Sequence, residues 1–339
     1  MINAIISGVL QKLQIESDPA LLADLKRALQ YRQENRSPEE VRNTYLQNLA
    51  VPQIVLFDIL ANKFPIVLKA QEIINSLLCG RVNHHSEITI IDIGIGRGLQ
   101  IEKLLREIDK LPQVEKVTLI GIEIFKPALD FTTQCIISLS KELHFDLNFI
   151  PFHSSIEAID FRILESKIPN NSTLFMVNAS LCLHHIQSMD QRSELFCEIN
   201  SFQPEIFTLI EPNTDCFTDD FKKRLDNAFV HFNALYQYID TLNLLIEEKK
   251  GLKQFFSTEF FDAIALPEAY RFEKYQTGEQ WVETGKMAGF QPKDLTKIAA
   301  GINISDITCE SEFSDYLNFK FKESSILSVI AFESKSSRL

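Results

Sequence analysis

Three glycines fall at alternate positions, Gly94, Gly96 and Gly98, directly after the β-branched run ITIIDI of residues 88–93. The chain has only 11 glycines in 339 residues, so their concentration here needs a chemical reason. Where a strand turns into a helix, glycine accepts unusual backbone angles and lets a ligand reach the main chain without meeting a Cβ. The helix that starts near Leu99 offers free N–H groups to an anionic part of such a ligand. Asp92 lies two residues before the first glycine, and Glu123 ends the next strand, where a carboxylate can accept both hydroxyls of a ribose. The spacing is GxGxG, and Leu99 stands where a dinucleotide fingerprint has its third glycine, which argues against a nicotinamide cofactor. A tight turn that only packs helix on strand is the competing use of this loop.

Groups that could move protons come later. His184 and His185 follow a strand-like run and could supply a general base near neutral pH; the alternative is one histidine buried against the sheet and one solvated. Glu211 ends a further strand-like run, where it could contact substrate or hold a loop. Asn178 could hold a cofactor's amino group or cap a turn. His231, Tyr236 and Glu273 are candidates for substrate contact from a cap, although Tyr236 could equally be a core aromatic with its hydroxyl satisfied. Arg97, within the glycine loop, and the single tryptophan, Trp281, read first as filler and packing. The six cysteines form no CxxC and the seven histidines no HExxH, so no metal site is expected, and reduced cytosolic thiols are.

These residues need a frame to hold them. Residues 1–85 read as helices, with a helix start at Ser37, Pro38 and Glu40 and a stop at Gly80. From residue 88 the pattern changes to strands at 88–93, 114–123, 146–152, 173–179 and 205–212, separated by helical stretches such as 99–110. That alternation predicts an α/β fold: a doubly wound, mostly parallel sheet with helices on both faces. Residues 217–250 carry apolar side chains at intervals of three and four, which predicts one long amphipathic helix. Two runs at 316–321 and 326–332 predict a closing antiparallel hairpin. The organisation expected is an N-terminal helical cap over 1–85, a core over 86–214 and 271–339, and a helical insertion over 215–270 that completes the cap.

Composition narrows the function classes. The net charge of -12 disfavours a nucleic-acid backbone as partner. No apolar run is long enough to span a membrane, and the N-terminus lacks the basic segment of a signal peptide, so a cytoplasmic protein is expected.

The set Asp-x-Gly-x-Gly-x-Gly followed by a strand-end acid resembles the S-adenosylmethionine site of class I methyltransferases, in which a parallel sheet ends in such a hairpin. Five segments resemble the GRAS family, known as plant transcriptional regulators with bacterial members. ITIIDIGIGRGLQ (88–100) resembles its VHIID motif, FMVNASLCLHHI (175–186) its Leu-His-His segment, and NAFVHFNALYQYIDTL (227–242) a further helix. YRFEKYQTGEQWVETGKMAGFQPKDL (270–295) resembles its Arg-His-Glu to Gln-Trp region, and FPIVLKAQEII (64–74) its first leucine-rich block. Departures are Phe272 beside Arg271, where the family has histidine, and the C-terminal Val329-Ile330-Ala331-Phe332.

The resemblance implies a Rossmann-like methyltransferase core under a helical cap, in a bacterial-type member. It implies S-adenosylmethionine as cofactor, held by Asp92, Gly94, Gly96, Gly98, Glu123, Asn178 and, at the adenine, Ser154 and Ser155. Methyl transfer to a small molecule enclosed by the cap would use His184, His185 or Glu211 as base. The rival reading is a non-catalytic ligand-binding or protein-interaction scaffold on the same fold, and a homodimer or a protein partner fits either.

Overall fold

The computed structural model describes residues 2–13, 16–34, 53–168 and 174–334, and the helix start expected at Ser37 lies outside them. The chain opens with helices α1 (Ile2–Leu13), α2 (Pro19–Gln33), α3 (Gln53–Lys63) and α4 (Pro65–Cys79). Then β1 (Glu87–Ile93), α5 (Leu99–Ile108), β2 (Lys116–Glu123), α6 (Lys126–Leu139), β3 (Asp146–His153), α7 (Phe161–Glu165), β4 (Leu174–Ser180), α8 (Met189–Ser201) and β5 (Ile206–Pro212) alternate. After β5 come α9 (Phe221–Thr241), α10 (Ile246–Ala265) and α11 (Gly278–Met287). The last part holds β6 (Phe290–Pro292), α12 (Thr296–Ala299), β7 (Ile307–Glu312), β8 (Tyr316–Phe321) and β9 (Ser324–Ser334).

The strands form one 9-stranded sheet in the order β3-β2-β1-β4-β5-β9-β8-β7, with β6 pairing β9 at its end. β1 to β5 run parallel, and β9 returns antiparallel against β5. This is the mixed sheet expected from the sequence, extended by two strands, β6 and β7, that the sequence reading did not identify. Burial alternates along β1: Ile88 and Ile90 join the apolar cluster that includes α4, α5, α9 and α10, while Ile91 and Ile93 join the cluster under α8 and α11. A strand buried on both faces needs no polar face, which is why isoleucines point to both sides of ITIIDI and its two polar residues, Thr89 and Asp92, are themselves buried.

The long helix expected over 217–250 is two helices. The chain leaves α9 at Leu242 in an extended conformation, and α10 restarts at Ile246 and runs on to Ala265. The Glu248 side chain accepts the Leu245 N–H at 3.0 Å and Lys249 reaches back to the Asp240 carbonyl at 2.8 Å, so side chains on the second helix fix the break. No helix among the described residues is long and apolar enough to cross a membrane.

The N-terminal helices pack on this pair. Lys253 bridges Asp18 and Asp240 at 2.8 Å each, Asp18 N–H donates to Asn233 at 2.8 Å, and Arg27 donates to Ser257 at 2.9 Å. Tyr236 donates its hydroxyl to Asp24 at 2.7 Å and lies within hydrogen-bond distance of the Lys253 carbonyl. The aromatic ring is therefore a brace between α2, α9 and α10.

Candidate functional site

The glycine loop joins β1 to α5 at the carboxyl edge of the parallel strands. Gly94 and Gly98 have φ of 70° and 74°, and Gly98 is the residue that begins α5. Gly94 is confined as well as twisted: a Cβ there would lie 2.6 Å from Cys182 Cβ. Replacing Gly94 by alanine is expected to cost about 2–3 kcal/mol, from the left-handed backbone and the displaced Cys182 together. Urea melts of Gly94→Ala against the parent would measure it, and unchanged stability would mean that the loop is free to rearrange.

Glu123 closes the other side of the loop. Its carboxylate accepts the N–H of Gly96 at 2.9 Å and of Phe125 at 2.7 Å, while burial raises its pKa against those bonds. Gly94, Gly96, Glu123, Ser154, Ser155, Cys182, His185 and Phe272 line one cavity of about 280 Å³, with Phe57 of α3 on its wall. That free volume lies near the lower edge of the range for small-molecule sites. Arg97 is drawn away, into an ion pair with Asp58 and over the Phe131 ring at 4.0 Å.

Asp92 and Asn178 stand behind this cavity instead of on its wall. They are register partners on β1 and β4, and Asn178 donates to Asp92 at 2.7 Å. Thr208, the next partner on β5, donates to the Asn178 carbonyl at 3.0 Å. All three are buried, and burial pushes the Asp92 carboxyl up to about 7 despite the Asn178 bond. The row holds three central strands in register on the cap-facing side.

His184 and Glu211 form the second constellation. Glu211, at the end of β5 and fully buried, accepts the N–H of Cys182 at 3.1 Å and of Leu183 at 2.8 Å. Its other oxygen meets His184 Nδ1 at 2.5 Å. Burial alone would depress His184, but Glu211 and then Glu273 outweigh it and hold the ring up to about 10. His185 goes the other way: burial, then the charge on His184, pull it down to about 4. Glu273 sits against both rings, 3.4 Å from His184 Nε2 and 3.7 Å from His185 Nδ1. Burial would raise Glu273, yet the two histidines hold it below the ordinary carboxylate value. The structure thus joins Glu273 to the histidine pair and separates it from His231 and Tyr236, with which the sequence reading grouped it.

His231 lines a smaller cavity of about 40 Å³, shared with His184, Glu259 and Tyr275. Its Nδ1 lies 3.1 Å from the Ser325 carbonyl, and burial lowers its pKa from 6.5 to about 4. The folded chain thus keeps the ring neutral while the unfolded chain protonates it below pH 6.5. Its contribution is complete above that pH and falls away toward pH 4, by about 3 kcal/mol. Urea melts at pH 7 and pH 4 should show that loss in the parent and a correspondingly smaller one in His231→Gln; identical pH profiles would remove the assignment.

Several site residues escaped sequence reasoning. Phe57, Cys182 and Phe272 reach the cavity from three separate segments, and nothing local marks them. Glu259 and Asp262 are buried acids on α10 beside Glu273, and Asp262 accepts the Phe272 and Glu273 N–H groups at 3.0 and 2.9 Å. Arg192 did leave a signal. It shares the buried stripe of α8 with Leu195, Phe196 and Ile199, a cation where the helical period demands an apolar residue.

Comparison with known proteins adds three findings. The model of the GRAS domain family matches residues 9–305. Scarecrow-like protein 1 of Arabidopsis thaliana is 26% identical over 240 residues, covering 66% of this chain and 39% of the relative. Scarecrow-like transcription factor PAT1 of the same plant is 22% identical over 238 residues, covering 66% of this chain and 48% of the relative. The chain therefore spans less than half the length of both curated relatives. Among solved structures, SCL7 of Oryza sativa superposes with a TM-score of 0.75 at 17% identity, covering 97% of this chain and 99% of that one, a likeness of fold.

Proposed function

The chain belongs to the GRAS domain family, and on that premise we propose that it works as a non-catalytic, ligand-binding and protein-interaction scaffold built on a methyltransferase-like fold. The observation that carries the proposal is the engagement of the acid–base groups. Glu211 spends its oxygens on the N–H groups of residues 182–183 and on His184, and His184 is closed in between Glu211 and Glu273. Neither faces the larger cavity. A general base must come within hydrogen-bond reach of the proton it abstracts, and these two are committed to holding the chain. The name of one relative, a transcription factor, supports a regulatory role. Since the chain covers under half of that relative, the role proposed is that of the shared region.

The test is turnover. Incubation with methyl-labelled S-adenosylmethionine and a panel of small alcohols, phenols and amines should give no product above the blank. Product that disappears in Glu123→Ala would overturn the scaffold reading.

A second reading, a methyltransferase acting on a small molecule, draws on a separate observation. Gly94, Gly96, Glu123, Ser154 and Ser155 surround one cavity, and His185, held neutral at physiological pH, reaches its wall. Under it, S-adenosylmethionine and S-adenosylhomocysteine bind at micromolar concentration in calorimetry and NAD does not. All six cysteines are free, which accords with a reducing compartment under either reading.

A further inference from the structure

His184, His185 and Glu273 each turn one donor atom toward a common point, all within 4.8 Å of one another. Glu273 Oε2 lies 3.4 Å from His184 Nε2, and Glu273 Oε1 lies 3.7 Å from His185 Nδ1. A tetrahedral ion bonded at 2.0–2.2 Å keeps its ligand atoms about 3.4 Å apart. The side chains are thus already spaced for an ion, with only small adjustment.

Two further observations point to one. Glu273 is fully buried, yet neither carboxylate oxygen accepts a hydrogen bond from the described residues. Buried charges are ordinarily paired and hydrogen-bonded, or they coordinate a metal. His184, in turn, meets Glu211 through Nδ1 at 2.5 Å, which leaves Nε2 facing Glu273. A carboxylate behind the imidazole, itself held by backbone N–H groups, is the support that fixes the ring of a metal-bound histidine. His185 and Phe272 form part of the wall between the cluster and the larger cavity, so an ion would reach the buried donor atoms from that side.

We propose that His184, His185 and Glu273 form a buried divalent transition-metal site, oriented by Glu211 and lying behind the wall of the larger cavity. Two imidazoles and one carboxylate suit zinc or iron(II), whereas magnesium and calcium prefer all-oxygen sets. The inference does not depend on which ligand the larger cavity takes.

Protein stripped with chelator and dialysed should bind one equivalent of zinc in calorimetry, with mass spectrometry for metal content confirming the stoichiometry and magnesium giving no heat. Cobalt(II) should give the intense visible bands of a four- or five-coordinate site. Glu273→Gln should weaken zinc binding at least 100-fold, and Glu211→Gln about 10–100-fold as a supporting residue. Should Glu273→Gln fail to fold, His185→Asn carries the same test from the half-buried wall. Less than a tenth of an equivalent bound by the parent protein would overturn the proposal. So would a full equivalent retained by Glu273→Gln, or by His185→Asn in its place, since the metal would then sit elsewhere.

Discussion

Replacing Arg192 by methionine is expected to destabilise the protein by about 4 kcal/mol. The guanidinium is fully buried and donates to the carbonyls of Ile186, His184 and Lys274 at 2.8–3.1 Å, and to the Gln276 side chain. These bonds tie residues 184–186 to the extended segment 271–277, and so hold the histidine pair against Glu273. Methionine fills much of the volume but leaves several buried acceptors empty, each worth about 1–3 kcal/mol. Removing a cation whose pKa burial depresses to about 9 gives part of that back. The net figure is therefore that of several orphaned buried acceptors less the relief of removing a buried charge. For 339 residues it corresponds to a Tm lower by about 6 °C. Arg192→Lys should recover only a fraction, because one ammonium cannot span the same fork of carbonyls. A lysine variant as stable as the parent would show that charge, not geometry, holds the segment.

Trp281→Ala should cost about 3–5 kcal/mol, the usual loss for emptying a large aromatic site. Trp281 is fully buried in α11, stacks on Phe196 with centroids 6.0 Å apart, and lies 4.7 Å from the Arg192 guanidinium carbon. Its indole N–H finds no acceptor among the described residues. Trp281→Phe, which removes that orphaned donor along with some area, should therefore lose about 1–2 kcal/mol only. The contact with Arg192 makes the two positions dependent. A double-mutant cycle should fall short of additivity by about 1 kcal/mol, the worth of a buried cation–π pair. Strict additivity would mean that the two groups touch without interacting.

Much of this architecture was legible in residue order, for identifiable reasons. ITIIDI announced β1 because a strand buried on both faces puts isoleucines on each side, and Glu123 announced itself by ending the next one. β7 stayed hidden because its sequence, ITCESE, is mostly polar and lies at the sheet edge, where a mixed surface suffices. The break between α9 and α10 carries neither glycine nor proline, and it is set by contacts of Glu248 and Lys249 that spacing alone does not express. The histidine–carboxylate cluster was harder still. Glu211 and Glu273 come from a strand end and from a segment after α10; the sequence marks each as a candidate for substrate contact, but nothing in residue order pairs either with a histidine. Only folding shows that both face the same imidazole.

The clasp of α2 on α9 and α10 also sets an order of events during synthesis. Arg27 finds Ser257 across 230 residues, and Asp18 finds Lys253 across 235. At roughly 5–20 residues per second, the ribosome needs about 10–50 s to deliver the second half of each pair. Through that interval Leu21, Leu25, Ala28 and Leu29, buried in the finished protein, have no α10 to cover them. The N-terminal helices are made early and docked late, and their apolar faces wait uncovered until α10 has been made.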